Sequence, residues 1–170
     1  MTVQLVVRRA DERDVTTLVD LFDGAARWML DHGIEQWRPG ERDAAHFRKR
    51  ITAGEDEVWL AHHGGAVAGA YELWWSDEEA WGPQPPVAGY VHRLMTHREA
   101  PSGTGRLLLA DAERRIRDAG RALSRLDCES TNPRLRAYYE GAGYAAVGEP
   151  QKKENGDRKY SVIRLEKPLG

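Results

Sequence analysis

The sequence predicts an α/β fold built on a mixed β-sheet flanked by helices. Apolar residues alternate with period two in several short stretches, and recur at helical spacing in the stretches between them. The two kinds of stretch interleave as βααββ-β-α-β-α-ββ. The 170 residues are enough to bury one core without a metal or a disulfide, and a single domain over residues 1–170 is expected.

Val3, Leu5 and Val7 alternate with polar residues, which reads as a strand over 3–9. Asp11 offers an N-cap, and Val15, Leu18, Val19, Phe22, Ala26, Met29 and Leu30 follow on one helical face. A loop through Gln36 to Pro39 leads to a second helical stretch over 41–53. Residues 58–61 and 67–75 read as a hairpin around His62-His63-Gly64-Gly65. The acidic, Pro-rich run DEEAWGPQPP within 76–86 is a loop by composition. A strand over 87–96, a Pro/Ser/Gly turn, a helix over 106–119 closed by Gly120 and a strand over 123–129 come next. Asn132-Pro133 opens the last helix as N-cap and first helical residue. The strands 144–152 and 158–165 meet through Asn155-Gly156, a strong hairpin signal.

Composition narrows the function classes. Lys plus Arg is 25 against 27 Asp plus Glu, so no basic excess points to nucleic acid. No window approaches a membrane span, and MTVQLVVRRA lacks the apolar core of a signal peptide. No membrane partner and a cytoplasmic location are therefore expected. Cys128 is the single cysteine, so an intrachain disulfide or a cysteine zinc cluster is excluded, and no metal is expected.

Ser102-Gly103-Thr104-Gly105-Arg106 lies between a strand and a helix. Successive backbone N–H groups at a helix start, free of bulky side chains, suit a phosphate, although a plain tight turn has the same composition. The dinucleotide pattern fails because Leu108 stands where a third glycine belongs. The P-loop fails because Arg106-Leu107 follows Gly105 in place of Lys-Ser/Thr. A phosphate-bearing ligand without phosphoryl-transfer machinery remains.

Asn132 to Tyr144 reads N-P-R-L-R-A-Y-Y-E-G-A-G-Y. With the glycine turn upstream, it resembles the GNAT superfamily of acyl-CoA-dependent N-acyltransferases. That family carries Q/R-x-x-G-x-G/A at a helix start and N-x-x-A-x-x-x-Y-x-x-x-G-F downstream. Gly103 and Gly105 match the first pattern. Asn132, Tyr139 and Gly143 match the second, with Leu135 for the Ala and Tyr144 for the Phe. Ala100 stands at the Q/R position, and Pro101 has no N–H to donate.

The resemblance implies a splayed mixed sheet and acetyl-CoA as co-substrate. Its pantetheine arm would insert between the strand ending near Thr96 and the strand ending near Ser130. Its amides would pair with backbone at Leu94, Met95 and Thr96. Its diphosphate would rest on Ser102, Gly103, Thr104, Gly105 and Arg106, with Arg98 or Arg106 supplying charge. Asn132 would contact the pantetheine, and Tyr139 would face the sulfur.

The implied chemistry is transfer of an acetyl group to a primary amine of a small molecule or a peptide. An alkyl ammonium must lose a proton before it attacks. His92 on the central strand and Glu72 on the preceding strand are the candidate acceptors, beside an unaided water route. A backbone N–H near Leu94 or Met95 would stabilise the developing oxyanion by about 3 kcal/mol. Tyr139, a neutral phenol, would protonate the departing thiolate. A homodimer is compatible with the family. A non-catalytic acyl-CoA sensor on the same fold is the contrasting reading.

Other features read more simply. Trp28, Trp37, Trp74, Trp75 and Trp81 pack the core and loops, or wall an acceptor groove. Asp77, Glu78 and Glu79 read as a solvated loop, His62-His63 as surface, and Cys128 as a small buried residue.

Overall fold

A computed structural model of the chain describes residues 2–34 and 36–170. Its strands are β1 (Val6–Arg9), β2 (Glu57–His63), β3 (Ala66–Trp74), β4 (Ala88–Thr96), β5 (Leu123–Glu129), β6 (Ala145–Asn155) and β7 (Arg158–Pro168). They form a seven-stranded mixed sheet in the order β1-β2-β3-β4-β5-β7-β6. Its α-helices are α1 (Val15–Asp31), α2 (Ala44–Thr52), α3 (Glu78–Trp81), α4 (Thr104–Asp118) and α5 (Pro133–Gly141). The α/β class and mixed sheet are those expected from the sequence. Packing divides the chain into two compact units, one of residues 1–74 with 91–112 and one of 75–90 with 113–170.

In the first unit, Asp11 and Asp14 form a reciprocal capping box ahead of α1, and Arg8 pairs with Asp14 at 2.7 Å. The α1 stripe of Leu18, Leu21, Phe22 and Ala26 packs with Phe47 of α2, Val58 and Leu60 of β2, Ala70 of β3 and Met95 of β4. Fully burying a side chain such as Leu18 or Phe22 contributes roughly 1.5–3 kcal/mol. Trp37 stacks on Phe22 at 5.0 Å. On β3, Gly69 is demanded by close approach: a Cβ there would lie 2.4 Å from the Met95 carbonyl oxygen. Tyr71 donates from its hydroxyl to Asp111 at 2.6 Å and so ties α4 to β3.

In the second unit, β4 pairs with β5 in parallel from Ala88↔Leu123 to Tyr90↔Arg125. Strand β5 pairs antiparallel with β7 along its length. Strand β6 pairs with β7 across the Asn155-Gly156 hairpin, with a register break between Val147 and Gln151. The Tyr144 hydroxyl is buried between Ser124 and Glu113, 2.8 Å from each, and Lys167 closes the other Glu113 oxygen at 2.9 Å.

Several expectations are corrected. The first strand starts at Val6, not at residue 3. The run read as a loop over 76–86 contains α3, because the Asp77 side chain accepts from the Ala80 N–H and Trp81 is buried. Asp77 is accordingly buried rather than solvated. No described helix is long and apolar enough to cross a membrane.

Candidate active site

The first unit carries the glycine turn and the end of β4. Gly103 has φ +90°, a conformation that favours glycine, and a Cβ there would meet no atom within 4 Å. The N–H groups of Ser102, Gly103 and Gly105 form no hydrogen bond among the described residues. Donors of this kind at the start of the 15-residue α4 fit a diphosphate. Thr104 leaves the expected donor set, because its N–H and its hydroxyl both donate to the Pro101 carbonyl, at 3.2 and 2.6 Å. Arg98 donates to the Thr96 carbonyl at 2.7 Å and lies over Trp28, which places its charge at the end of β4.

Leu94, Met95 and Thr96 follow Arg93, whose φ of +48° is the only positive φ of a non-glycine among the described residues. A left-handed residue inside a strand costs roughly 1–2 kcal/mol and persists where its surroundings hold it. The Arg93 side chain pairs with Glu72 at 3.2 Å.

Glu72 is the centre of a cluster the sequence did not announce. Its side chain is 0% exposed, and Oε2 accepts from His46 Nε2–H at 3.0 Å. Oε1 accepts from Trp74 Nε1–H at 3.0 Å and from Arg93, with Arg50 Nε 3.9 Å away. Burial would push its carboxyl up, but the His46 hydrogen bond and the charges of Arg93, His46 and His92 outweigh that and hold it at about 2. A carboxylate held this low, with both oxygens engaged, is a poor proton acceptor. Of the two candidate acceptors, Glu72 is the one whose oxygens are already committed to His46, Trp74 and Arg93. His92, the other candidate, stacks on the Trp74 ring at 3.8 Å, and Arg50 lies 4.2 Å over the same ring. His46 and Glu72 are 26 residues apart. Only the packing of α2 beside β3 joins them, so no spacing in the sequence points to the pair.

The second unit carries Asn132, Tyr139 and Cys128. Asn132 caps α5 through Oδ1, which accepts from the Leu135 N–H at 3.2 Å. Tyr139 is 8% exposed, and its hydroxyl forms no hydrogen bond among the described residues. Burial, with the neighbouring Tyr138, Cys128 and Asp127, pushes the phenol well above its ordinary range, so it is a protonated donor at neutral pH. Tyr144, by contrast, has its hydroxyl committed to Ser124 and Glu113. Burial, first of all, raises the Cys128 thiol to about 11, which leaves it unreactive at neutral pH. Among the described residues, no group of His, Cys, Asp and Glu could hold a metal ion.

A family model described as an acetyltransferase (GNAT) domain matches residues 26–158. No curated protein matches the sequence. Solved structures share the fold. A ribosomal-protein-alanine N-acetyltransferase from Brucella melitensis superposes with a TM-score of 0.71 at 18% identity, covering 96% of this chain and 99% of that one. The PaiA N-acetyltransferase of Thermoplasma acidophilum, in complex with coenzyme A, gives 0.71 at 17% identity over 97% and 99%. An IAA acetyltransferase from Bacillus cereus gives 0.64 at 16% identity over 98% and 100%.

Proposed function

The chain belongs to the acetyltransferase (GNAT) family, and from that premise we propose that it transfers the acetyl group of acetyl-CoA to a primary amine of a small molecule or peptide by direct attack in a ternary complex. The observation that carries this reading is the set of unbonded N–H groups at Ser102, Gly103 and Gly105, where the chain presents donors to an anion and no side chain fills the space at Gly103. Acetyl-CoA, when bound, supplies the thioester.

The chain's own residues do the rest. Backbone N–H at Leu94 or Met95 stabilises charge on the carbonyl oxygen as the amine attacks. Tyr139 protonates the sulfur as the C–S bond breaks, a role its protonated and unbonded hydroxyl supports. Asn132 sets the start of α5, which carries Tyr139. The cap is its primary job, and contact with the pantetheine is a second one.

Calorimetry with acetyl-CoA, followed by free-thiol release over putrescine, phenethylamine, lysine and a short amino-terminal peptide, tests the reading. Tight binding with thiol release by at least one amine is expected. Y139F should lower kcat by ten- to a hundredfold with an unchanged acetyl-CoA Kd. A protein that ignores acetyl-CoA refutes the proposal. Binding without thiol release from any amine favours a non-catalytic acyl-CoA sensor on the same fold.

A further inference from the structure

The buried carboxylate of Glu72 orients a neighbour that solvent can reach. His46 is 16% exposed on its side chain, against 0% for Glu72. An ionised carboxylate only accepts, so the 3.0 Å bond runs from His46 Nε2–H to Glu72 Oε2. In the neutral ring the lone pair is then at Nδ1, which forms no hydrogen bond among the described residues. The imidazole is held in place from several sides. Asp43 caps α2 by accepting from the His46 N–H at 3.0 Å, and the wholly buried Phe47 packs edge-on at 4.9 Å. Glu72 is in turn fixed by Trp74 and by Arg93, the residue directly before Leu94. A base oriented by a carboxylate that does not itself titrate is the arrangement by which many enzymes activate a nucleophile.

We propose that His46 is the catalytic residue that takes the proton from the acceptor ammonium, at Nδ1, and that Glu72 is a positioning residue that fixes the ring and its tautomer. The inference rests on the acetyltransferase reading above. The ammonium nitrogen sheds two protons in the reaction. One passes to Nδ1 and on to solvent, which frees the lone pair that forms the C–N bond. The other leaves the nitrogen after attack and balances the proton taken up by the thiolate when the C–S bond breaks. The charged and titratable groups around the pair come from each neighbouring element: Asp43 and Arg50 at α2, Arg93 and His92 on β4, and Asp56, which holds Arg50 at 2.6 Å.

The test compares wild type with H46A, H46Q and H92Q, using acetyl-CoA and the fastest amine of the panel. H46A and H46Q should lose at least about a hundredfold in kcat/KM. Both should keep the acetyl-CoA Kd within twofold and lose the acidic limb of the pH profile. Added imidazole should raise the turnover of H46A and leave wild type unchanged, a response a packing role does not give. In the unmutated protein, nitrogen NMR of His46 should show the proton on Nε2 with Nδ1 bare. An Nδ1–H tautomer overturns the proposal, whether or not the variants fold. So does an H46Q enzyme of wild-type rate and pH profile, above all if H92Q loses the limb instead. An inert wild type overturns the acetyltransferase reading along with it, which separates the two failures.

Discussion

Replacing Glu72 by Gln removes one negative charge from a site where His46, Arg93 and Arg50 converge, and keeps the shape. A carboxyl held at about 2, against an ordinary 4.5, contributes on the order of 3 kcal/mol to stability at neutral pH. The independent expectation for breaking one side of a buried ion pair is of the same size, about 3–5 kcal/mol. Because the folded value lies below the unfolded one, the contribution is complete above the ordinary value of 4.5 and disappears as pH falls through about 2. Urea unfolding of wild type and E72Q, followed by tryptophan fluorescence, should show a gap of about 3 kcal/mol at pH 7 that narrows steadily between pH 4.5 and pH 2. For a chain of this length the same gap lowers Tm by roughly 6–12 °C. A gap that is equally large at pH 7 and pH 2.5 would refute the electrostatic argument, since it would come from packing alone. A gap under about 0.5 kcal/mol would show that the cations do not depend on this carboxylate.

Y144F removes a hydroxyl buried between Ser124 and Glu113 and should cost about 1–3 kcal/mol in chemical denaturation while turnover stays within twofold. Turnover that collapses in Y144F but not in Y139F would exchange the roles of the two phenols. G103A forces a side chain into φ +90°. It should destabilise by about 1 kcal/mol and weaken acetyl-CoA binding on the order of tenfold by calorimetry, and unaltered affinity would count against a diphosphate at this turn. G69A sets a Cβ against the Met95 carbonyl and should lower stability by about 1–3 kcal/mol or more. A thermal midpoint equal to wild type would mean that β3 and the end of β4 are not in such close contact.

Features that rest on local chemistry were legible in the sequence. The α1 stripe as far as Ala26, the Asn132 cap and the Asn155-Gly156 hairpin each follow from a few neighbouring residues and stand where expected, whereas Leu30, read on the same stripe, is exposed. The first strand is shorter than its alternation suggests because pairing needs a partner: Val6 pairs with His62 at the end of β2, and the pairing with β2 runs only from Val6 to Arg9. Helix α3 is hard to read because one turn is too short for periodicity and Gly82 and Pro83 follow it directly. The glycine turn could be located, but not that Thr104 would turn inward onto Pro101. The pairing of Glu72 with His46 depends on α2 and β3 meeting, a long-range contact that no window of the sequence encodes.

The outer strand β6 has a further consequence. It ends the sheet order, and the stretch around Gly148 and Pro150 falls within its register break. Lys152 and Lys153 follow on the same strand. An incoming strand from another molecule therefore meets a kinked row of peptide groups, a residue with no N–H and adjacent positive charges. That flank is a poor template for fibrillar growth, so sheet-to-sheet association through β6 is discouraged by the chain's own sequence.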